Sequence, residues 1–338
     1  LSVPDGDELT AALGELDLCV AIDIYMSDTA RHADYVLPAT TFLEREDYPL
    51  PFLGLFTKPY INMTEAVVEP SGEARQEWEI VEDIAGRVGV VPSSVLALRL
   101  LGRAGIKVSP RRLVETLLRI GPRGDRFGLS RGGLNPKRLR EEPHGIVLAE
   151  HLEPGVLERK IRHGDRRVRL CPPEIEAEVA SMVESAGADG SEHPLRLIGL
   201  RELRSHNSWM HNSPKLMAGD RVHRARIHPG DAEEAGIADG ELVLIASAHG
   251  EIETVALISD EVMAGTVAVP HGWGHDGGWR VANAAGGANT NLLASSRPDD
   301  LERLAGMAHL NGIAIRIAPV AAGAEGAEAA RAVAATAQ

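Results

Sequence analysis

The chain has 338 residues, 44% hydrophobic and 25% charged, which is room for two or three globular domains with a sizeable core. Its formal net charge of -14 sets it against a nucleic-acid backbone, and no apolar run approaches the roughly 18 residues of a membrane-spanning helix. Cys19 and Cys171 are the only cysteines, with no C-x-x-C pair or iron-sulfur spacing, so both are expected to be buried small apolar residues.

The charge is unevenly spread. Between Arg99 and Arg169 there are 18 Lys or Arg against 8 Asp or Glu, a basic middle in an acidic protein. This segment is either a solvated arginine-rich surface, or a source of cations for a polyanionic cofactor or a partner subunit. Leu1 to Leu9 show neither a basic n-region nor an apolar core, so the chain reads as a fragment or processed product, with a cytoplasmic setting expected.

In chain order, Leu16 to Ile22 is an apolar run ending at Asp23 and predicts a buried parallel strand. Asp28 or Thr29 can cap a helical turn, and Ala33 to Pro38 predicts a second strand stopped by proline. From Glu73, the apolar positions Ala74, Trp78, Val81, Ile84, Ala85 and Val88 repeat at helical spacing up to Gly89. Further short helices are expected at Leu96 to Leu101 and Leu113 to Ile120, then an irregular Gly-, Pro- and Arg-rich connection over Gly121 to Pro143.

From Pro194 the pattern turns to short β runs: Leu195 to Leu200, Ala225 to Ile227, Glu241 to Ser247, Glu251 to Ile258, Gly265 to Val269 and Gly312 to Ile317. Glycine turns at Asp239-Gly240 and His249-Gly250 separate them, and Asp231 to Ala235 adds one short helix; a small closed barrel or sandwich is expected. The Ala-rich tail after Pro319 is expected to be disordered or loosely helical. The division is thus 1–90, an α/β layer; 91–193, an irregular or helical basic connecting segment; 194–320, the β unit; and 321–338, the tail.

Several segments resemble a known family. Asp23-Ile24-Tyr25-Met26-Ser27-Asp28-Thr29-Ala30-Arg31-His32-Ala33-Asp34-Tyr35-Val36-Leu37-Pro38 is similar to the D-x-(Y/F)-x-(T/S)-x-T-A-x-x-A-D-x-V-L-P stretch of molybdopterin oxidoreductases of the dimethyl-sulfoxide-reductase type, which include formate dehydrogenases and nitrate reductases. Pro70 to Trp78 resembles the family's P-x-G-E-(A/S)-x-x-(D/E)-W segment. Arg201 to Pro214, Ile227 to Ala232, Asp239 to Glu241, His271 to His275 and Asn289 to Leu293 run in the order of its dinucleotide-binding domain.

The resemblance implies a fold and a cofactor. The N-terminal part would be an α/β layer of a larger dinucleotide-binding-like domain, and the C-terminal part a six-stranded double-psi β-barrel. Together they would hold a bis(molybdopterin guanine dinucleotide) centre of molybdenum or tungsten. The family's metal ligand and its 4Fe-4S cluster cysteines have no counterpart here and are expected upstream. No residue is therefore assigned to bond-making, and the expected partners are the N-terminal half of the same polypeptide, a small-molecule substrate and an electron-transfer subunit.

Candidate cofactor contacts follow. Asp23, at the carboxyl end of its strand, can accept from a guanine edge or ribose, or else caps the next turn. The resemblance points to Arg45 and Glu77, with a surface charge cluster from Glu44 to Asp47 as the plainer reading of Arg45. Arg201, Ser205, His206, Asn207 and Ser208 crowd donors into one loop suited to a diphosphate or pterin, or to satisfying itself. Gly272 and Gly274 around Trp273 suggest close backbone approach to a flat ring bonded by Asn291, or a plain turn; Asn311 precedes the last strand.

Two rival functions stand beside this. One is a non-enzymatic binding module built on the barrel. The other is a metal-dependent hydrolase using His271 and His275, which two intervening glycines disfavour because such pairs need a helix to align their rings. No nucleophile-and-base pair, P-loop or Gly-x-Gly-x-x-Gly strand-to-helix turn is read in the sequence to support a kinase or hydrolase of another kind.

Overall fold

A computed structural model describes residues 3–91, 93–106, 108–152, 154–185, 192–219, 221–277 and 280–320. The tail expected to be disordered or helical lies outside these residues. The chain forms two compact units: Leu1–Val20, Tyr25–Tyr35 and Arg169–Gln338 make the first, and Ala21–Ile24 with Val36–Val168 the second.

Ten strands occur among the described residues. They are β1 (Val20–Asp23), β2 (Tyr35–Pro38), β3 (Tyr60–Ile61), β4 (Ile146–Val147), β5 (Leu195–Leu200), β6 (Arg224–Ile227), β7 (Leu242–Ser247), β8 (Glu251–Ile258), β9 (Thr266–Pro270) and β10 (Ile313–Pro319). The last six close into a barrel in the order β10-β5-β9-β6-β8-β7, with β7 returning to β10. The pairs β5/β9 and β6/β8 are parallel and the others antiparallel.

The barrel follows from period-two alternation. Ala225 and Ile227, Val243 and Ile245, and Val267 and Val269 each send every second side chain inward, where Leu197, Ile252 and Ile315 meet them, all nearly or fully buried. Each such Val, Leu or Ile contributes about 1.5–3 kcal/mol by leaving water. The helix Pro229–Ala235 adds Ala232 to this core; His228 caps its start by accepting from Gly230 N–H, and Gly236 ends it at φ 66. Of the six predicted β runs, Leu195–Leu200 and Glu251–Ile258 keep their bounds and the other four shift by only one or two residues at an end.

The first unit also contains the helix Gly6–Gly14, whose preceding Asp5 carboxylate accepts from the Ser296 N–H. The turn at Ala30–His32 is tied to the rest of this unit by Arg31, which donates to the Asp276 carbonyl. A thirteen-residue helix, Pro173–Ser185, lies where the sequence offered no clear period.

The second unit is smaller. Its core is Ile61, Met63, Leu134 and Leu139, beside the two-residue pair β3/β4. The helix expected from Glu73 begins at Glu77, because Gln76 and Glu79 form a capping box and Arg75 is bridged to Ala39. The helix Pro110–Ile120 starts three residues earlier than predicted, since Ser109 accepts from the Arg112 N–H and Pro110 suits its first position. Inside the stretch read as irregular, Asn135 caps a short helix, Pro136–Glu141.

Two expectations fail. The run Leu16 to Ile22 is not a buried strand: β1 begins only at Val20, its residues are at most half-buried in a two-stranded sheet with β2, and Leu16 and Leu18, which precede it, are more than half exposed. Cys171 is exposed and Cys19 half-buried, and both are free thiols. No helix among the described residues is long and apolar enough to cross a membrane.

Candidate functional site

The barrel unit contains a cavity of about 380 Å³ at one end of β5 and β9. Strand β5 delivers Leu197 and Gly199 to its wall, then runs into the loop that contributes Arg201, Asn207, Ser208 and Trp209. Val269 and His271 come from β9 and the residue after it, Thr290 and Asn291 from a 3-10 turn capped by Asn289, and Asn311 with Ile313 from the approach to β10. The lining is apolar on the barrel side and carries a guanidinium, three amides, two hydroxyls and an imidazole elsewhere, as small-molecule sites do.

Local bonds fix those groups. Asn311 Oδ1 accepts from the Gly199 N–H at 2.8 Å, which leaves its amide N–H₂ for the cavity. Arg201 donates to Asn207 Oδ1. His206 and Asn207 sit at φ 45 and φ 60, a left-handed conformation that costs a non-glycine residue on the order of 1–2 kcal/mol. Burial, with the Arg201 charge second, pushes the His271 imidazole below its ordinary pKa, so it stays neutral at pH 7.

Behind the loop lies a buried polar network. Ser205, 1% exposed, places its Oγ 2.8 Å from His211 Nε2 and accepts from Arg221 at 2.7 Å. Arg221 also donates to Glu202, and Trp273 Nε1 donates to the same carboxylate oxygen at 2.8 Å. His211 Nδ1 is 3.1 Å from His275 Nε2, and the His211 ring packs on Trp273 with centroids 4.6 Å apart. Burial, then the neighbouring His275, lowers the His211 pKa to about 4.

The segment after β9 serves both places. His271 lines the cavity, while Trp273 and His275 enter the network. The glycines between them answer to the chain itself: a Cβ at Gly272, φ +89, would meet the Asn207 carbonyl oxygen at 2.4 Å, and one at Gly274 the Asn289 nitrogen at 2.6 Å. The close backbone approach that these glycines allow is, in the structure, to neighbouring loops of the same unit.

Of the residues singled out by sequence, Arg201, Asn207, Ser208, Asn291 and Asn311 come together on the cavity wall. Ser205 and Trp273 are buried in the network instead, and the His206 ring lies 5.7 Å from that of Trp209. Asp23, Arg45 and Glu77 belong to the second unit. There the Asp23 carbonyl accepts from Ala39, and Arg45 and Glu77, both partly exposed, are bonded to each other. That unit has its own open cleft of about 560 Å³, with Trp78, Arg75 and Arg111 among several carboxylates.

Sequence reasoning missed Arg221 altogether, because nothing local marks a guanidinium that finds its partners sixteen and nineteen residues upstream. His271 and His275 do not share a ligand, since one faces the cavity and the other His211. Among the described residues no three His, Cys, Asp or Glu are arranged to hold a metal ion.

Two family matches divide the chain. Residues 195–311 match the family described as "Molydopterin dinucleotide binding domain", and residues 1–87 match "Molybdopterin oxidoreductase". Among curated proteins, acetylene hydratase of Syntrophotalea acetylenica is 27% identical over 263 residues, covering 76% of this chain and 33% of the relative. The trimethylamine-N-oxide reductase of Haemophilus influenzae is 27% identical over 300 residues, covering 81% and 34%. The assimilatory nitrate reductase catalytic subunit of Bacillus subtilis is 29% identical over 282 residues, covering 81% and 36%. The chain thus spans about a third of the length of these relatives. A solved acetylene hydratase from Pelobacter acetylenicus shares the fold, with TM-score 0.57 at 24% identity over 94% of this chain and 42% of that one.

Proposed function

This chain belongs to the molybdopterin oxidoreductase family, and from that premise we propose that its barrel cavity holds the nucleotide part of a molybdopterin guanine dinucleotide. The observation that carries the reading is the gathering of Arg201, Asn207, Ser208, Asn291 and Asn311 around one cavity within the residues that match the dinucleotide-binding family.

The donor set fits such a group. Arg201 supplies the cation that a diphosphate needs, and Ser208 with the nearby backbone supplies neutral donors. The amide nitrogens of Asn207 and Asn311, whose oxygens accept from Arg201 and the Gly199 N–H, offer donors, and Asn291 adds a further amide, which suits a purine or pterin edge. Val269, Leu310 and Trp209 supply flat apolar surface on which a heterocycle can lie. The bound cofactor would supply the metal chemistry, two-electron redox or oxygen-atom transfer; the residues here bind, orient and neutralise.

The same proposal extends to the rest of the protein. Asp23, Arg45 and Glu77 are taken as polar contacts to the cofactor from the second unit, which would be part of an α/β layer of a larger domain. The barrel would be of the double-psi type. The metal ligand and a 4Fe-4S cluster would be supplied by further polypeptide, and electrons would leave through that cluster to a partner subunit.

Relatives sharing this portion bear the names of different reactions, acetylene hydration among them beside N-oxide and nitrate reduction. On this reading the portion described here secures the cofactor and does not choose the substrate. Metal analysis of the full-length protein purified anaerobically, with guanine nucleotide released by acid and counted per polypeptide, tests it. Molybdenum or tungsten together with guanine nucleotide is the expected result; absence of both sinks the proposal and leaves a plain binding module.

A further inference from the structure

The cavity wall and the buried network are two faces of the same pair of loops. Arg201, Asn207 and Ser208 point to the cavity while Glu202, Ser205 and His211 point inward, and His271 against Trp273 and His275 repeats the alternation. We propose that His211 is a positioning residue for the cavity, acting through Ser205 to hold the strained His206-Asn207 turn in place. This rests on the reading of the cavity as a dinucleotide site.

The turn needs holding. Two successive left-handed non-glycine residues persist only where the surroundings over-determine them. On one side Gly272 closes against the Asn207 carbonyl so tightly that no side chain fits. On the other, Ser205 is pinned by the His211 ring and the Arg221 guanidinium. Remove the first of these pins and the residues immediately after Ser205 lose the anchor that keeps Asn207 and Ser208 on the wall.

Neutral imidazoles satisfy this network in either direction. If Ser205 donates to His211 Nε2, then His211 Nδ1–H donates to His275 Nε2. If His211 Nε2–H donates instead, the Ser205 hydroxyl donates its hydrogen bond to Glu202 at 3.2 Å and His275 donates to His211. Ser205 is accordingly no nucleophile despite the imidazole at hydrogen-bond distance, since it is 1% exposed and shared with Arg221.

The two ends of the imidazole can be separated by substitution in the full-length protein. An amide in His211→Gln reaches the Nε2 position and keeps the bond to Ser205; in His211→Asn it reaches the Nδ1 position and keeps only the His275 side. The readout is guanine nucleotide retained per polypeptide after long dialysis, beside thermal unfolding. The expected result is retention near wild type for His211→Gln and a loss of about tenfold for His211→Asn and Ser205→Ala, the scale of one buried polar group left unsatisfied. His223→Gln, a buried histidine bonded to Thr254 and the Pro270 carbonyl outside this chain of bonds, is expected to retain nucleotide. Equal losses in His211→Gln and His211→Asn that track thermal stability, or an equal loss in His223→Gln, overturn the inference alone. A wild-type protein without guanine nucleotide overturns the cavity reading and this inference together.

Discussion

His211 Nδ1 and His275 Nε2 face each other at 3.1 Å inside the barrel unit, and only one proton can occupy the line between them. Two imidazolium rings cannot share it, so acid opposes this arrangement. Burial is the first cause holding His211 down to about pKa 4, with His275 and Arg221 adding to it and Glu202 opposing; His223 is held to about 4 by burial alone among the lowering causes. Burial also lowers His275, against the Asp28 carboxylate, which raises it.

A pH dependence of stability follows from the sign of these shifts. The unfolded chain binds protons on these histidines below about pH 6.5, whereas the folded chain binds them only below about pH 4, so stability falls as pH drops through that window. His211 and His223 together contribute a loss on the order of several kcal/mol between its ends. Chemical denaturation of the full-length protein at pH 7 and pH 5 measures it, and replacing His223 by Gln should flatten the profile. An unchanged midpoint across that interval would contradict the burial of both rings.

Gly272→Ala tests whether the glycine serves the turn behind it. At Gly265, φ +81, an added Cβ meets nothing within 4 Å, so Gly265→Ala reports the cost of the left-handed backbone by itself, about 1 kcal/mol or somewhat more. Gly272→Ala adds a collision with the Asn207 carbonyl and should cost clearly more, with nucleotide retention falling as well. Equal costs for the two variants in thermal unfolding would mean that the loops can part without consequence.

How much of this was readable from the chain differs by element. The barrel was, because short β-prone apolar runs such as Val243-Leu244-Ile245 and Val267-Ala268-Val269 need no distant information, and Asp239-Gly240 marks a turn by itself. The cavity was partly readable, since Arg201, Asn207 and Ser208 stand in one donor-rich loop. The network was not: Ser205 and Trp273 look like ligand contacts in sequence, and only the fold shows that Glu202, seventy-one residues before Trp273, accepts the hydrogen bond of its indole N–H. The apolar run Leu16 to Ile22 misled because it predicts burial from composition, while burial depends on what covers the strand.

Trp273→Phe separates the two views of that tryptophan. The indole is fully buried and its N–H goes to Glu202, so the variant should lower stability by about 1–2 kcal/mol while guanine nucleotide stays bound. Loss of nucleotide at unchanged thermal stability would instead make Trp273 a direct contact.

Asn311 offers the sharpest test of which way the cavity's amides face. Its oxygen is committed to the Gly199 N–H, so its nitrogen is the group available to a ligand. Asn311→Asp keeps an oxygen for Gly199 and turns the donor into a charged acceptor of the same shape. If a diphosphate or a heterocycle carbonyl lies against that nitrogen, retained nucleotide should fall about tenfold or more with little change in thermal stability, because the ligand then meets a like charge or an unmatched acceptor. If Asn311 only ties β5 to the approach of β10, the variant keeps its nucleotide, and the donor assigned to this position belongs to the scaffold.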